Sequence, residues 1–196
     1  MQDGRPRRHV VTLAVVAEGG LGLLAWALGW LIGQPPLESF RWDWNDAALG
    51  VGATIPPLLM LAIAIRWPIR PIVRIRRFCD AVIRPLFQDC SLFDLAVISA
   101  LAGIGEEMLF RGVIQAGFSR WLGRWGGVAA GSALFGLAHP ITPTYALWAG
   151  LMGMYLGSLW IATGNLLIVI IAHAVYDLVA LWYLVRSDAV PMAGTV

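Results

Sequence analysis

The chain has 196 residues, of which 59% are hydrophobic and 13% charged, with a mean hydropathy of +0.73. Soluble domains carry roughly 25% charged residues, so the composition excludes an ordinary soluble protein and leaves room for about five to seven membrane helices of roughly 20 residues each. The net charge is only +2, but every basic residue is Arg, the arginines are clustered, and the lack of Lys excludes lysine chemistry such as a Schiff base.

Residues 1–9 form a polar head with Arg5, Arg7 and Arg8. The apolar run from Val10 to Gly33 is longer than a signal-peptide core and has no clear cleavage site, so it reads as a first span. Glu18, near its start, reads as a structural residue that snorkels or faces the bundle. Pro35, Pro36 and the interfacial pair Trp42 and Trp44 mark a loop. Ala47 to Ile65 is a second span, expected to kink at Pro56-Pro57. Arg66 to Asp89 carries six arginines among Ile, Val, Trp and Phe, the pattern of a basic amphipathic segment lying on a membrane. It serves as a positive-inside anchor or binds anionic headgroups. Cys79 and Cys90, in or beside it, lack paired metal spacing and read as free thiols, neither of them a strong nucleophile.

Leu92 to Phe118 is the third span and holds Gly105-Glu106-Glu107-Met108-Leu109-Phe110-Arg111. Each charge there costs about 2.5–3.5 kcal/mol on insertion scales, so three in one helix need partners or a use. Glu107 and Arg111 are four apart in the order that favours an ion pair. Glu106 lies about 100° round the helix and has no local counter-charge. Gly126 to Pro140 is a short fourth span ending in His139, one turn after Phe135. Thr144 to Ala162 is the fifth, with Gly150, Gly153 and Gly157 spaced for close helix packing. Asn165 to Val185 is the sixth, with His173 four before Asp177 on the same face. Residues 186–196 are a polar tail. The expected fold is therefore all-α, a single membrane domain of about six spans over 1–196, with a catalytic core at 92–185. The arginine distribution places the amino terminus and the basic segment in the cytoplasm, although Arg120 and Arg124 then fall on the outer side.

Two of the three histidines, Asp177 and the diglutamate recur on three separate apolar segments, and a shared polar cavity is the cheapest way to solvate them. Near neutral imidazoles, Glu106 can deprotonate water while an imidazole donates to a developing oxyanion. Alternatively Glu106, His139, His173 and Asp177 ligate a divalent ion whose bound water attacks. The chain lacks the paired Glu-x-x-His of bundle di-iron sites, the Gly-x-Ser-x-Gly elbow and the His-Glu-x-x-His helix of soluble zinc proteases. Two other classes remain: a non-catalytic immunity or binding protein, and a proton-coupled transporter, which buried Glu and His would also suit but for which inverted repeats are absent.

Glu106-Glu107 with Arg111, Phe135 with His139, and His173 four before a polar residue resemble, in order and spacing, the three signatures of the CPBP intramembrane proteases, also called the type II CAAX prenyl endopeptidase or Abi family. The resemblance implies a helical membrane bundle with endopeptidase activity. By that pattern Glu106 and His139 activate water. His173 and Asp177 stabilise the oxyanion or complete a metal site, and Glu107, Arg111 and Phe135 support them. The third signature often ends in Asn where this chain has Asp177. Asp donates a hydrogen bond only when protonated and is the better metal ligand when anionic. The implied cofactor is none or one divalent metal ion, zinc foremost. The implied partners are the lipid bilayer and a peptide or protein substrate entering from the membrane or the cytoplasmic side, with no nucleic acid. An Arg-rich, Lys-free chain of this size suggests a bacterial inner (plasma) membrane, where prenylated substrates are less expected than in eukaryotic members.

Overall fold

The computed structural model describes residues 5–188, with side chains from residue 7 onward. The start of the polar head, residues 1–4, and most of the polar tail, residues 189–196, lie outside the described residues. Among the described residues every regular element is helical. In chain order these are α1 (Arg5–Ile32), α2 (Trp44–Gly52), α3 (Ile55–Arg66), α4 (Arg70–Phe78), a π-helical turn π1 (Cys79–Ile83), α5 (Arg84–Phe87), α6 (Leu92–Glu107), a longer π-helix π2 (Met108–Gln115), α7 (Ala116–Leu137), α8 (Pro143–Thr163) and α9 (Leu166–Arg186).

These elements make six rods. Four of them (α1, α2 with α3, α8 and α9) are long and apolar enough to cross a membrane by length and composition. The other two come from one continuous helical path, α6–π2–α7, that reverses at Gly123, whose φ of 72° and ψ of 170° break the helix. The first arm carries Asp94, Glu106, Glu107 and Arg111 and so is too charged to register as a plain span. The second, residues 124–137, is about 21 Å long at 1.5 Å per residue, shorter than the roughly 30 Å hydrocarbon core.

The break in the second rod falls at Ala53–Thr54, just ahead of Pro56-Pro57. The prolines occupy the first turn of α3, where a missing N–H costs nothing, rather than kinking a helix interior as expected from the sequence. At one end of the bundle, Asn165 is fully buried and pins the start of α9 to the α1–α2 connection. Its Nδ2 donates to the Arg41 carbonyl at 2.8 Å and to Asp46 Oδ2 at 2.7 Å, and its Oδ1 accepts from the Arg41 and Leu167 amides. Arg120 reaches the same end, donating to the Gly33 carbonyl at 3.0 Å and to Gln34 Oε1 at 2.6 Å. It thus neutralises the carbonyl end of α1, where a cation is favoured. This gives Arg120 a structural reason to sit opposite the main basic cluster. Trp30, Trp42, Trp44, Trp121 and Trp125 are all exposed at this end.

The basic segment lies at the other end. None of the residues of α4, π1 and α5 is fully buried. Arg84 ion-pairs with Asp80 at 2.6 Å and donates to the Ser187 carbonyl, while Arg76 donates to the Asp188 carbonyl at 3.2 Å. The amphipathic segment is thereby tied to the end of α9. The start of α1 joins it there, because Arg7 pairs with Asp94 in the capping box of α6 at 2.6 Å.

Candidate active site

The interior polar residues are positioned by glycine-mediated helix contacts. A Cβ on Gly103 would lie 2.9 Å from the Ile170 carbonyl oxygen, and one on Gly136 would lie 2.6 Å from that of Ala146. Only glycine lets α6 meet α9, and α7 meet α8, at such separations. Where α8 exposes its backbone at Gly153 and Gly157, side chains of π2 fill the space. Arg111 donates to the Gly153 carbonyl at 3.0 Å and Gln115 to that of Gly157 at 3.1 Å.

Glu107 is fully buried and acts as a hub. Its Oε1 accepts from Arg111 Nη1 at 2.7 Å and from His173 Nδ1 at 2.7 Å. The intrahelical ion pair expected from the i,i+4 spacing is therefore present. It has a third member on α9 that the sequence reading did not include. The carboxylate can only accept, so His173 Nδ1 carries the hydrogen, and its Nε2 faces Asp177 Oδ2 at 3.4 Å. The Phe135 ring lies at the centre of the group. It packs 4.7 Å beneath the Arg111 guanidinium, 4.7 Å from the His139 ring and 5.9 Å from the His173 ring, centroid to centroid for the rings.

His139 sits just beyond the end of α7, in the turn before α8. Its Nδ1 bonds the Phe135 carbonyl oxygen at 2.7 Å. A carbonyl only accepts, so Nδ1 holds the hydrogen, and in the neutral ring Nε2 is left with a bare lone pair. That lone pair faces Glu106 Oε2 at 3.7 Å. Glu106 is 9% exposed, and its Oε2 is buried without a hydrogen-bond partner. The side chains of His139 and Asp177 are 25% and 34% exposed, against 11% for Glu106 and 5% for His173. The group is thus buried on one side and open on the side of His139 and Asp177.

The structure brings Glu106, His139, His173 and Asp177 into one cluster, with Glu107, Arg111 and Phe135 behind it. It adds one residue that the sequence reading set aside as structural. Glu18 of α1 has a buried, unpartnered Oε2, and its carboxyl interacts electrostatically with Glu106, Asp177, His173 and His139. The available signal was a single acid in an otherwise apolar run. Cys79 and Cys90 lie elsewhere, and burial pushes both thiols up, reinforced by Asp80 and Asp94 respectively. Neither thiol has the lowered value of a reactive nucleophile.

A metal-bound version of the cluster needs three or more donors around one point. Among the described residues no three His, Cys, Asp or Glu side chains are so arranged. Both imidazoles hold Nδ1 on a fixed acceptor and turn Nε2 towards a carboxylate, Glu106 for His139 and Asp177 for His173.

Fold and cluster together define an integral membrane protein, a helical bundle with a buried group of acids and imidazoles. Residues 88–179 match the model of the family described as type II CAAX prenyl endopeptidase Rce1-like. The matched segment, just under half of the chain, contains all three motifs and is similar to that family, for which a CAAX-type intramembrane protease is the kind of activity carried. No curated protein and no solved structure matches the chain.

Proposed function

We propose that the chain is an intramembrane endopeptidase in which Glu106 and His139 activate a water molecule. The observation that carries this reading is the facing pair of acceptors, Glu106 Oε2 and the bare Nε2 of His139, 3.7 Å apart. Two acceptors at that distance cannot bond each other. One water donating a hydrogen to each satisfies both, which is how buried polar groups without direct partners are usually met. The same water is then polarised for attack on a peptide carbonyl carbon. Glu106 takes its proton as the C–O bond forms and later returns it to the amide nitrogen as the C–N bond breaks. His173 is the oxyanion donor in its imidazolium form: Nδ1–H is held by Glu107, and Nε2–H is donated to Asp177 or, in its place, to the substrate oxygen.

Glu107 and Arg111 hold His173 and π2 in register, and Phe135 fixes the spacing of the two imidazoles. No step requires a metal; the Nδ1 contacts fix both imidazoles with Nε2 towards the cluster, an orientation that serves a metal-free route and a metal-bound one alike. Substrate is a peptide or protein segment reaching the cluster on the side of His139 and Asp177. In a bacterial inner membrane with the basic end cytoplasmic, that approach is from the membrane or the cytoplasm. The test is to reconstitute the full purified chain in liposomes with reporter peptides, with and without a prenylated cysteine, and to sequence the products by mass spectrometry. A new amino terminus within the reporter is expected. Intact reporters together with pH-driven flux would overturn the reading in favour of a transporter.

A further inference from the structure

Glu18 is a partly buried acid, with Oε2 shielded from solvent, that the reaction above leaves unused, and it comes from α1, outside the matched segment 88–179. Three observations bring it to the cluster. A Cβ on Gly105 would lie 2.5 Å from the Glu18 carbonyl oxygen and 3.3 Å from the Gly22 nitrogen, so the α1 backbone at Glu18 rests against α6 at Gly105, the residue before Glu106. The Oε2 atoms of Glu18 and Glu106 are both buried with no hydrogen-bond partner. The Glu18 carboxyl also interacts electrostatically with residues from α6, α9 and the α7–α8 turn, namely Glu106, Asp177, His173 and His139.

A purely structural acid at this depth would find its donor within the fold, because an orphaned buried acceptor is costly and a charged one in a bilayer more so. Charge points the same way. Among the described residues, four acids (Glu18, Glu106, Glu107 and Asp177) border the cluster against two cations, Arg111 and the His173 imidazolium, both of which Glu107 already holds at 2.7 Å. The hollow is short of a cation. Peptide hydrolysis produces one at the nitrogen of the scissile bond.

We propose that Glu18 is a further catalytic residue, supplied by α1, whose free oxygen receives the leaving amine. This rests on the endopeptidase reading. In the tetrahedral intermediate, Glu106 passes the proton it took from water to the amide nitrogen, which becomes cationic. The C–N bond then breaks, its electron pair stays on nitrogen, and the carbonyl re-forms as a carboxylic acid. Glu18 faces the nitrogen while it carries positive charge. An ester reacts through the same attack and oxyanion, but its alkoxy group departs without a cationic nitrogen and so does not need Glu18.

The experiment compares an amide reporter with its ester isostere, using the full chain in liposomes and the shape-conserving Glu18→Gln variant. The expected result is a fall in kcat for the amide on the order of a hundredfold, the scale of a lost proton-transfer or electrostatic group, with KM little changed and ester cleavage within about twofold of the unaltered chain. Retained ester cleavage also shows that the variant is folded. Equal losses on amide and ester would overturn the inference in favour of a structural role, as would no loss on either. An unaltered chain that cleaves neither reporter overturns the endopeptidase reading, and the role of Glu18 falls with it. An active chain with an indifferent Glu18→Gln overturns the role of Glu18 alone.

Discussion

Glu107 holds Arg111 and His173 through the same oxygen, so its removal has two separable consequences. Glu107→Ala leaves a buried guanidinium without its counter-charge, which destabilises on the order of 3–5 kcal/mol. It also removes the 2.7 Å contact that holds His173 Nδ1, leaving Asp177 alone to orient the ring. Thermal unfolding in detergent should show the first effect as a large drop in melting temperature. Glu107→Gln keeps one acceptor oxygen and should lose less stability. The Glu107–Arg111 half of this arrangement was legible in the sequence because four residues on one helix are neighbours in any register. The His173 half was not, because it joins residues 66 apart in the chain and only the packing of α6 on α9 creates it. Glu18 was half-legible in the same sense: the cost of its charge in an apolar run was plain, but nothing in one sequence says which other helix it meets.

At the scale of elements, the placement of the site depends on glycines and on π2. The close approach of α8 was expected from Gly150, Gly153 and Gly157, and Gly153 does pack on Ser132 and Gly157 on Gln115. What the spacing did not reveal was that the carbonyls exposed there receive Arg111 and Gln115. The π-helix was also missed, since hydrophobic period alone does not separate it from a continuous α-helix, although π segments recur at functional sites. Gly105 gives the sharpest test. In Gly105→Ala the new methyl meets backbone atoms of α1 at 2.5 and 3.3 Å, and a backbone cannot turn aside as a side chain can. α1 should move off α6, lowering cleavage at least tenfold, on the scale expected when site geometry shifts by about 1 Å. The control is Gly52→Ala, where a Cβ meets nothing within 4 Å and the cleavage rate should stay unchanged.

For the whole molecule, the class was readable from composition, and six rods follow the six apolar runs. The exceptions have physical causes. The second rod breaks one turn early because Pro56-Pro57 start a helix better than they bend one, and Arg120 sits at the sparsely charged end because it caps α1. The start of α1, the basic segment and the end of α9 share one end of the bundle. Single cysteines at residues 7 and 77, in a chain with Cys79 and Cys90 replaced by Ser, should therefore react with a membrane-impermeant thiol reagent from the same face, and a cysteine at residue 121 from the opposite face. Chelation is a second test at this scale. Cleavage by protein stripped with a strong zinc chelator should match that of untreated protein, and loss restored by added zinc would show that the donor set rearranges around a metal.

The proposed activation of water between Glu106 on α6 and His139 in the α7–α8 turn is the central claim, and Glu106→Gln probes it most directly. Gln fills the same volume but cannot accept the proton. Measured on a reporter peptide in liposomes beside the unaltered chain, the variant should fold with an unchanged melting temperature and cleave at least a hundredfold more slowly, the scale of a lost general base. Cleavage by Glu106→Gln at the rate of the unaltered chain would contradict the mechanism.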